Sequence, residues 1–231
     1  MRAVFDHPLF FKITVNLKYE LLAVCRCYQD MIYPLLFLIL VIVLFPLSVS
    51  PDPVLLNKIS AGIFWIVVLF LVLLMLDQLF RNDWKEGDLE QLILTPNALS
   101  LAIFIKLLVF CLAISLPLIV MTPFLSLCLY IPIRALKTLC WSIFLGTPSL
   151  IFLGGIARAL TLGLRHSGLL IVLIVIPFYI PVLIFASSAV SFASMGSSAN
   201  GPLAWLSVLM LLSVSLSPLV IRMILRLGIA F

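Results

Sequence analysis

Residues 79–96, LFRNDWKEGDLEQLILTP, interrupt a chain in which 65% of residues are apolar and only 10% are charged. The fourteen positions from Asp77 to Glu90 hold seven of the 23 charges: Asp77, Arg81, Asp83, Lys85, Glu86, Asp88 and Glu90. Long apolar runs lie on both sides, so this polar island joins two segments that sit in apolar surroundings by one that does not. A charge cluster of this kind serves either chemistry or docking. The signs here are mixed, and Arg81 and Lys85 neutralise their neighbours. Nothing apolar in the stretch encloses the acids to raise their pKa, which argues against a carboxylate active site and for a docking surface.

The surrounding chain sets the fold class. A mean hydropathy of +1.34 over 231 residues leaves too few polar side chains to coat a soluble domain, so the chain is expected to be an all-α integral membrane protein. Six apolar runs follow one another at about 31–49, 59–77, 100–128, 138–158, 168–190 and 203–222. Each is long enough for one helix at about 20 residues per span. The whole of 1–231 is expected to be a single transmembrane domain with no separate soluble unit. Asp6, Lys12, Glu20 and Arg26 precede the first run, which is longer than the apolar core of a signal peptide, so the first span is expected to remain in the mature protein.

Residues 8–30 carry a different pattern. With Pro8 in the first turn, Lys12, Asn16, Glu20, Arg26 and Asp30 share one face, and Phe10, Ile13, Leu17, Leu21, Val24 and Tyr28 the other. This predicts an amphipathic helix lying in the membrane interface or packed as an elbow against the bundle. With both termini inside, eleven Lys and Arg fall on the cytoplasmic side (Arg2, Lys12, Lys18, Arg26, Arg81, Lys85, Lys106, Arg158, Arg165, Arg222, Arg226) and three outside (Lys58, Arg134, Lys137). The asymmetry predicts an N-in, C-in topology and puts residues 79–96 in the cytoplasm. The basic residues are scattered at the ends of runs, so the net charge of +5 does not point to nucleic acid.

The spans offer little for chemistry. Their middles lack ionisable groups. Asp77 and Lys106 stand nearest and could pair, although snorkelling of Lys106 to the inner interface is the plainer expectation. His7 and His166 lie at predicted edges without metal-ligand spacing, and the five cysteines form no C-x-x-C pair, so no metal site and no catalytic residue is expected. The phosphate-binding pattern G-x-x-x-x-G-K-[S/T] is absent, and the GTPS of 146–149 has no base in reach. The chain is therefore not expected to be an enzyme by itself. Eight prolines lie in or at the edges of the runs, of which Pro117, Pro148, Pro177 and Pro181 are candidate hinges. Such kinks suit moving helices and occur in static ones too. Runs three and five are longer than one span needs, so their outer parts could fold back as re-entrant segments near Pro123 and after Pro181. Gly155, Ala159 and Gly163, four residues apart, offer a small-residue face for close helix contact.

Within the polar island, Arg81 to Glu86 read as a polar helix with Trp84 one turn beyond Phe80. Gly87 breaks it, and Asp88 caps a second short helix that has Glu90 in its first turn and Leu89, Leu92 and Ile93 on one face. Pro96 ends it. The short helix has an apolar edge that needs a membrane surface or a partner's groove to cover it.

WKEGDLEQLILTP, residues 84–96, resembles the cytoplasmic coupling-helix segment of ABC type-two permeases, of E-x-G-[TS]-L-E-Q-L form. Asp88 stands where that pattern has a small Ser or Thr, and either can cap a helix. Together with LFPLSVSPDP (44–53), FLGTPSL (144–150), ALTLGLRHSG (159–168) and IPFYIPVLIFA (176–186), the chain is similar throughout its length to the CcmB family, the membrane subunits of the haem-handling ABC complex of cytochrome c maturation. The resemblance implies that Arg81, Trp84, Glu86, Gly87, Asp88, Leu89, Glu90 and Leu92 contact a separate ATPase. It also implies a CcmA-like ATPase that binds ATP, CcmC and CcmD as companions, and CcmE as haem chaperone. Two copies of this subunit are expected in the complex, in the bacterial inner membrane, with haem handled by the complex and no cofactor held directly by this chain. A type-two exporter of lipid or glycan is the nearest alternative. An ATPase-independent secondary transporter or channel would need charged residues at the midplane of the spans.

Overall fold

A computed structural model describes residues 28–49, 53–80, 99–162 and 167–228. Six helices are found among them: α1 (Tyr28–Val49), α2 (Pro53–Leu76), α3 (Leu99–Cys128), α4 (Ile133–Leu160), α5 (Ser167–Ser194) and α6 (Asn200–Gly228). The described residues contain no strand. All six helices are long and apolar enough to cross a membrane. In lipid the backbone must satisfy its own hydrogen bonds, so helix forms here even through runs of Val and Ile that would favour strand in water.

The helices are not equivalent. Two-thirds of the residues of the α2 and α4 spans are buried inside the bundle, against 17% for α1. α4 is the central pillar, packed against α2, α3, α5 and α6, whereas α1 rests on α2 and touches α3 more lightly. α4 is also the least apolar span of the six. The inversion has a physical reason. A helix facing lipid must be covered in Leu, Ile, Val and Phe, while a helix facing other helices takes Gly, Ser and Thr so that backbones can approach. α4 contains Ser142, Gly146, Thr147, Ser149, Gly154 and Gly155, and every one of them is buried.

The long helices α3 and α5 do not fold back. Each runs unbroken through its two prolines, Pro117 and Pro123 in α3 and Pro177 and Pro181 in α5. This corrects the expectation of re-entrant segments near Pro123 and after Pro181. A proline removes one backbone bond, but the neighbouring turns keep the helix going. The true stops lie further on. Tyr130 adopts a left-handed φ of 55°, Ile131 N–H donates to the Ser126 carbonyl at 2.9 Å and Tyr130 N–H to Leu127 at 3.3 Å, which is the paired six-to-one and five-to-two pattern of a Schellman end. α5 ends in the same way. Gly196 has φ 78°, Ser197 N–H donates to Phe192 at 2.9 Å and Gly196 N–H to Ala193 at 3.1 Å.

The first stop turns the chain into the α3–α4 hairpin. The second is held to the start of α4, because Arg134 Nη2 donates to the Ser194 carbonyl at 2.6 Å. There Arg134 supplies a cation to the negative end of the α5 dipole. At the other end of the bundle α2 and α4 come together, and the chain leaves α2 for residues 81–98.

Candidate functional site

The eight residues expected to meet an ATPase, Arg81, Trp84, Glu86, Gly87, Asp88, Leu89, Glu90 and Leu92, lie outside the described residues, as do most of the expected interfacial helix of 8–30, both histidines and Gly163. The structure instead gives the frame from which residues 81–98 depart and to which they return. On the departing side, α2 ends at Leu76 and the chain makes a hydrogen-bonded turn, with Gln78 N–H donating to Met75 at 3.0 Å and Leu79 N–H to Leu76 at 3.2 Å. Leu79 and Phe80 are both buried. On the returning side, Leu99 opens α3 fully buried.

The turn sits against the last two turns of α4. Arg158, with a side chain only 9% exposed, places Nη2 3.5 Å from Asp77 Oδ1. The same nitrogen donates to the Asp77 carbonyl at 3.3 Å. The guanidinium thus meets both the carboxylate and the carbonyl end of α2, where the helix dipole is negative. One turn earlier on α4, Gly155 has no side chain. A Cβ there would stand 2.8 Å from Leu107 Cδ2 of α3, 3.4 Å from Ile221 Cδ1 of α6 and 3.6 Å from Leu79 Cδ2. Three helices and the turn therefore meet on one glycine.

In the sequence Asp77 and Lys106 stand nearest the middles of the spans, snorkelling of Lys106 is the plainer expectation, and Arg158 counts as one more edge cation. The structure pairs Asp77 with Arg158, 81 positions away. A cation within a stretch of small residues (Gly154, Gly155, Ala157, Ala159) was the available signal, since small neighbours let a second helix reach it. The small-residue face itself is present at Gly155 and Ala159, both buried.

Gly154, not singled out from the sequence, is the tighter contact. Its missing Cβ leaves room for the Leu76 side chain and for Tyr179 Oη of α5. That hydroxyl donates to the Leu150 carbonyl of α4 at 2.7 Å, and Tyr179 is fully buried between Pro177 and Pro181.

Half-way along α4, Gly146 lies under the indole of the fully buried Trp65. Ser149 of the GTPS stretch turns its hydroxyl back to the Leu145 carbonyl at 2.9 Å. Trp65 Nε1, Thr147 Oγ1 and Ser217 Oγ are buried with no hydrogen-bond partner among the described residues. Of the candidate hinges, Pro148 is buried in α4, Pro117 and Pro181 are half-buried, and Pro177 is exposed. No group of three His, Cys, Asp or Glu that could hold a metal ion occurs among the described residues.

The architecture is that of a multi-pass membrane bundle whose best-defined polar structure is a joint at one end. Comparison with known sequences agrees along almost the whole chain. The profile of the family described as CcmB protein matches residues 11–228. The chain is similar to Heme exporter protein B of Haemophilus influenzae, with 41% identity over 92% of this chain and 96% of the relative. Heme exporter protein B of Pseudomonas aeruginosa is 41% identical over 85% of this chain and 88% of the relative, and that of Escherichia coli K12 is 38% identical over 92% and 96%. On a profile match covering all six spans and relatives of this identity and coverage, the chain belongs to the CcmB family.

Proposed function

We propose that this chain is the membrane permease subunit of an ABC complex for cytochrome c maturation in the bacterial inner membrane. In this role it couples ATP hydrolysis by a CcmA-like ATPase to haem delivery, through release of haem-loaded CcmE on the periplasmic side. The observation that carries the proposal is full-length similarity to proteins named Heme exporter protein B, together with a charged connection between α2 and α3 of coupling-segment form. CcmC and CcmD are the expected companions, and two copies of this subunit sit with two ATPases. With only two histidines in the chain, haem ligation falls to the companions.

In this scheme Glu86, Leu89, Glu90 and Leu92 fit a groove of the ATPase, and nucleotide-driven closure pushes on residues 81–95. The proline-bearing spans then tilt at Pro117, Pro148, Pro177 and Pro181. The test is co-purification of the ATPase with the membrane subunit. Glu86→Lys, Leu89→Asp and Glu90→Lys each lower the bound ATPase at least tenfold while the membrane protein accumulates normally. Wild-type levels of bound ATPase in all three variants refute the docking role.

A further inference from the structure

We infer that Asp77 and Arg158 are positioning residues of a stiff joint that carries motion of residues 81–98 into α4. The inference rests on the permease-subunit function proposed above and adds the route by which that subunit is moved. A push on a connecting segment is useful only if the chain beside it has no slack. Here it has none. Phe80, the last residue before the segment, is buried, and so is Leu79. The turn is closed by two backbone hydrogen bonds. Leu79 is seated over Gly155, and Arg158 grips Asp77 through both its carboxylate and its carbonyl.

An apolar plug at Leu79 and a charged clamp at Asp77 thus fix the turn to the same two turns of α4. They resist different displacements. The plug opposes separation of the two elements, and the directional guanidinium contact opposes sliding and rotation. α4 packs on four of the other five helices, so a displacement delivered at Arg158 and Gly155 reaches most of the bundle at once.

A purely structural salt bridge is the competing explanation. The Asp77 side chain is 53% exposed and that of Arg158 9%; asparagine at 77 keeps an oxygen for the buried guanidinium, and the contact to the Asp77 carbonyl is untouched. Removing its charge therefore leaves the fold intact under either explanation. Only the joint predicts that coupling suffers.

The experiment uses the whole complex reconstituted in vesicles, reading bound ATPase, ATP turnover and haem-loaded chaperone released per ATP. Asp77→Asn and Arg158→Gln are expected to keep bound ATPase within twofold of wild type and to lower release per ATP about tenfold. Arg158→Lys should recover part of the loss. Wild-type release per ATP in Asp77→Asn with the ATPase bound overturns the joint and leaves the permease function standing. Should Arg158→Gln fail to accumulate, Asp77→Asn decides by the same criterion. A wild-type chain that binds no ATPase overturns the permease function and the joint with it.

Discussion

Gly154→Ala adds one methyl group at a point where α2, α4 and α5 meet, and its effect can be worked from the neighbours. The new Cβ would overlap the Leu76 side chain and come within 2.5 Å of Tyr179 Oη. Leu76 can rotate its terminal methyls. Tyr179 cannot withdraw, because its ring is fully buried and its hydroxyl is held by the Leu150 carbonyl. Overpacking of this kind costs about 1–3 kcal/mol, and the fixed phenol puts this site in the upper half of that range. Displacing the hydroxyl adds about 0.6 kcal/mol, the typical value of a side-chain hydrogen bond within a membrane bundle. Alanine returns about 1 kcal/mol through its better helix propensity. The net is about 2 kcal/mol of destabilisation, or a fall in Tm of about 4–8 °C for a chain of this size.

Thermal unfolding in detergent measures it. The causal part is the clash with Tyr179, so Tyr179→Phe by itself should cost under about 1 kcal/mol, and Gly154→Ala added to it should cost clearly less than in the wild-type background. An unchanged Tm for Gly154→Ala, or strict additivity of the two substitutions, refutes this account of the α4–α5 contact.

Three further outcomes follow from the same close packing and from the helix stops. Gly146→Ala drives a methyl into the indole of Trp65, whose Cζ3 lies 2.9 Å and Cζ2 3.2 Å from the new atom. It should destabilise by about 1–3 kcal/mol and be relieved by Trp65→Phe, both read as Tm. Tyr130→Gly removes a side chain from a left-handed position where it is half exposed, and should raise stability by about 0.5–1 kcal/mol, since the Schellman end it completes is kept. Tyr130→Val at the same place should lower it, because a β-branched residue tolerates that φ least.

Much of this fold is legible in the chain because hydropathy along a membrane span is a one-dimensional signal. Six apolar runs gave six helices, and no contact between distant residues was needed to see them. Two features were out of reach, for different reasons. Prolines 123 and 181 looked like ends of spans, yet the helices pass them. A span is ended by what satisfies its last carbonyls, and at Tyr130 that work is done by a residue type that carries no turn signature. Gly196, in SMGSS, did carry one.

The Asp77–Arg158 contact was hidden because the two are 81 positions apart, so only the packing of α2 on α4 brings them together. The charge pattern of 79–96 is plain in the sequence, but the residues expected to meet an ATPase lie outside the described residues; the frame beside them, Leu79 over Gly155, depends on where a glycine lacks a side chain.

The low hydropathy of α4 has a consequence for how the protein is made. A helix carrying Arg134, Lys137 and Arg158 and a string of glycines and serines gains little from entering lipid unaided, since a central arginine alone disfavours insertion by about 2.5–3.5 kcal/mol and one near the end by less. The four-residue link Leu129–Pro132 ties α4 to α3, a longer and more apolar helix. During synthesis α3 and α4 are therefore expected to leave the translocon as a pair, with α3 shielding the polar face of α4 until α5 and α6 emerge to cover the rest. The helix that holds the finished bundle together is the one least able to join the membrane on its own.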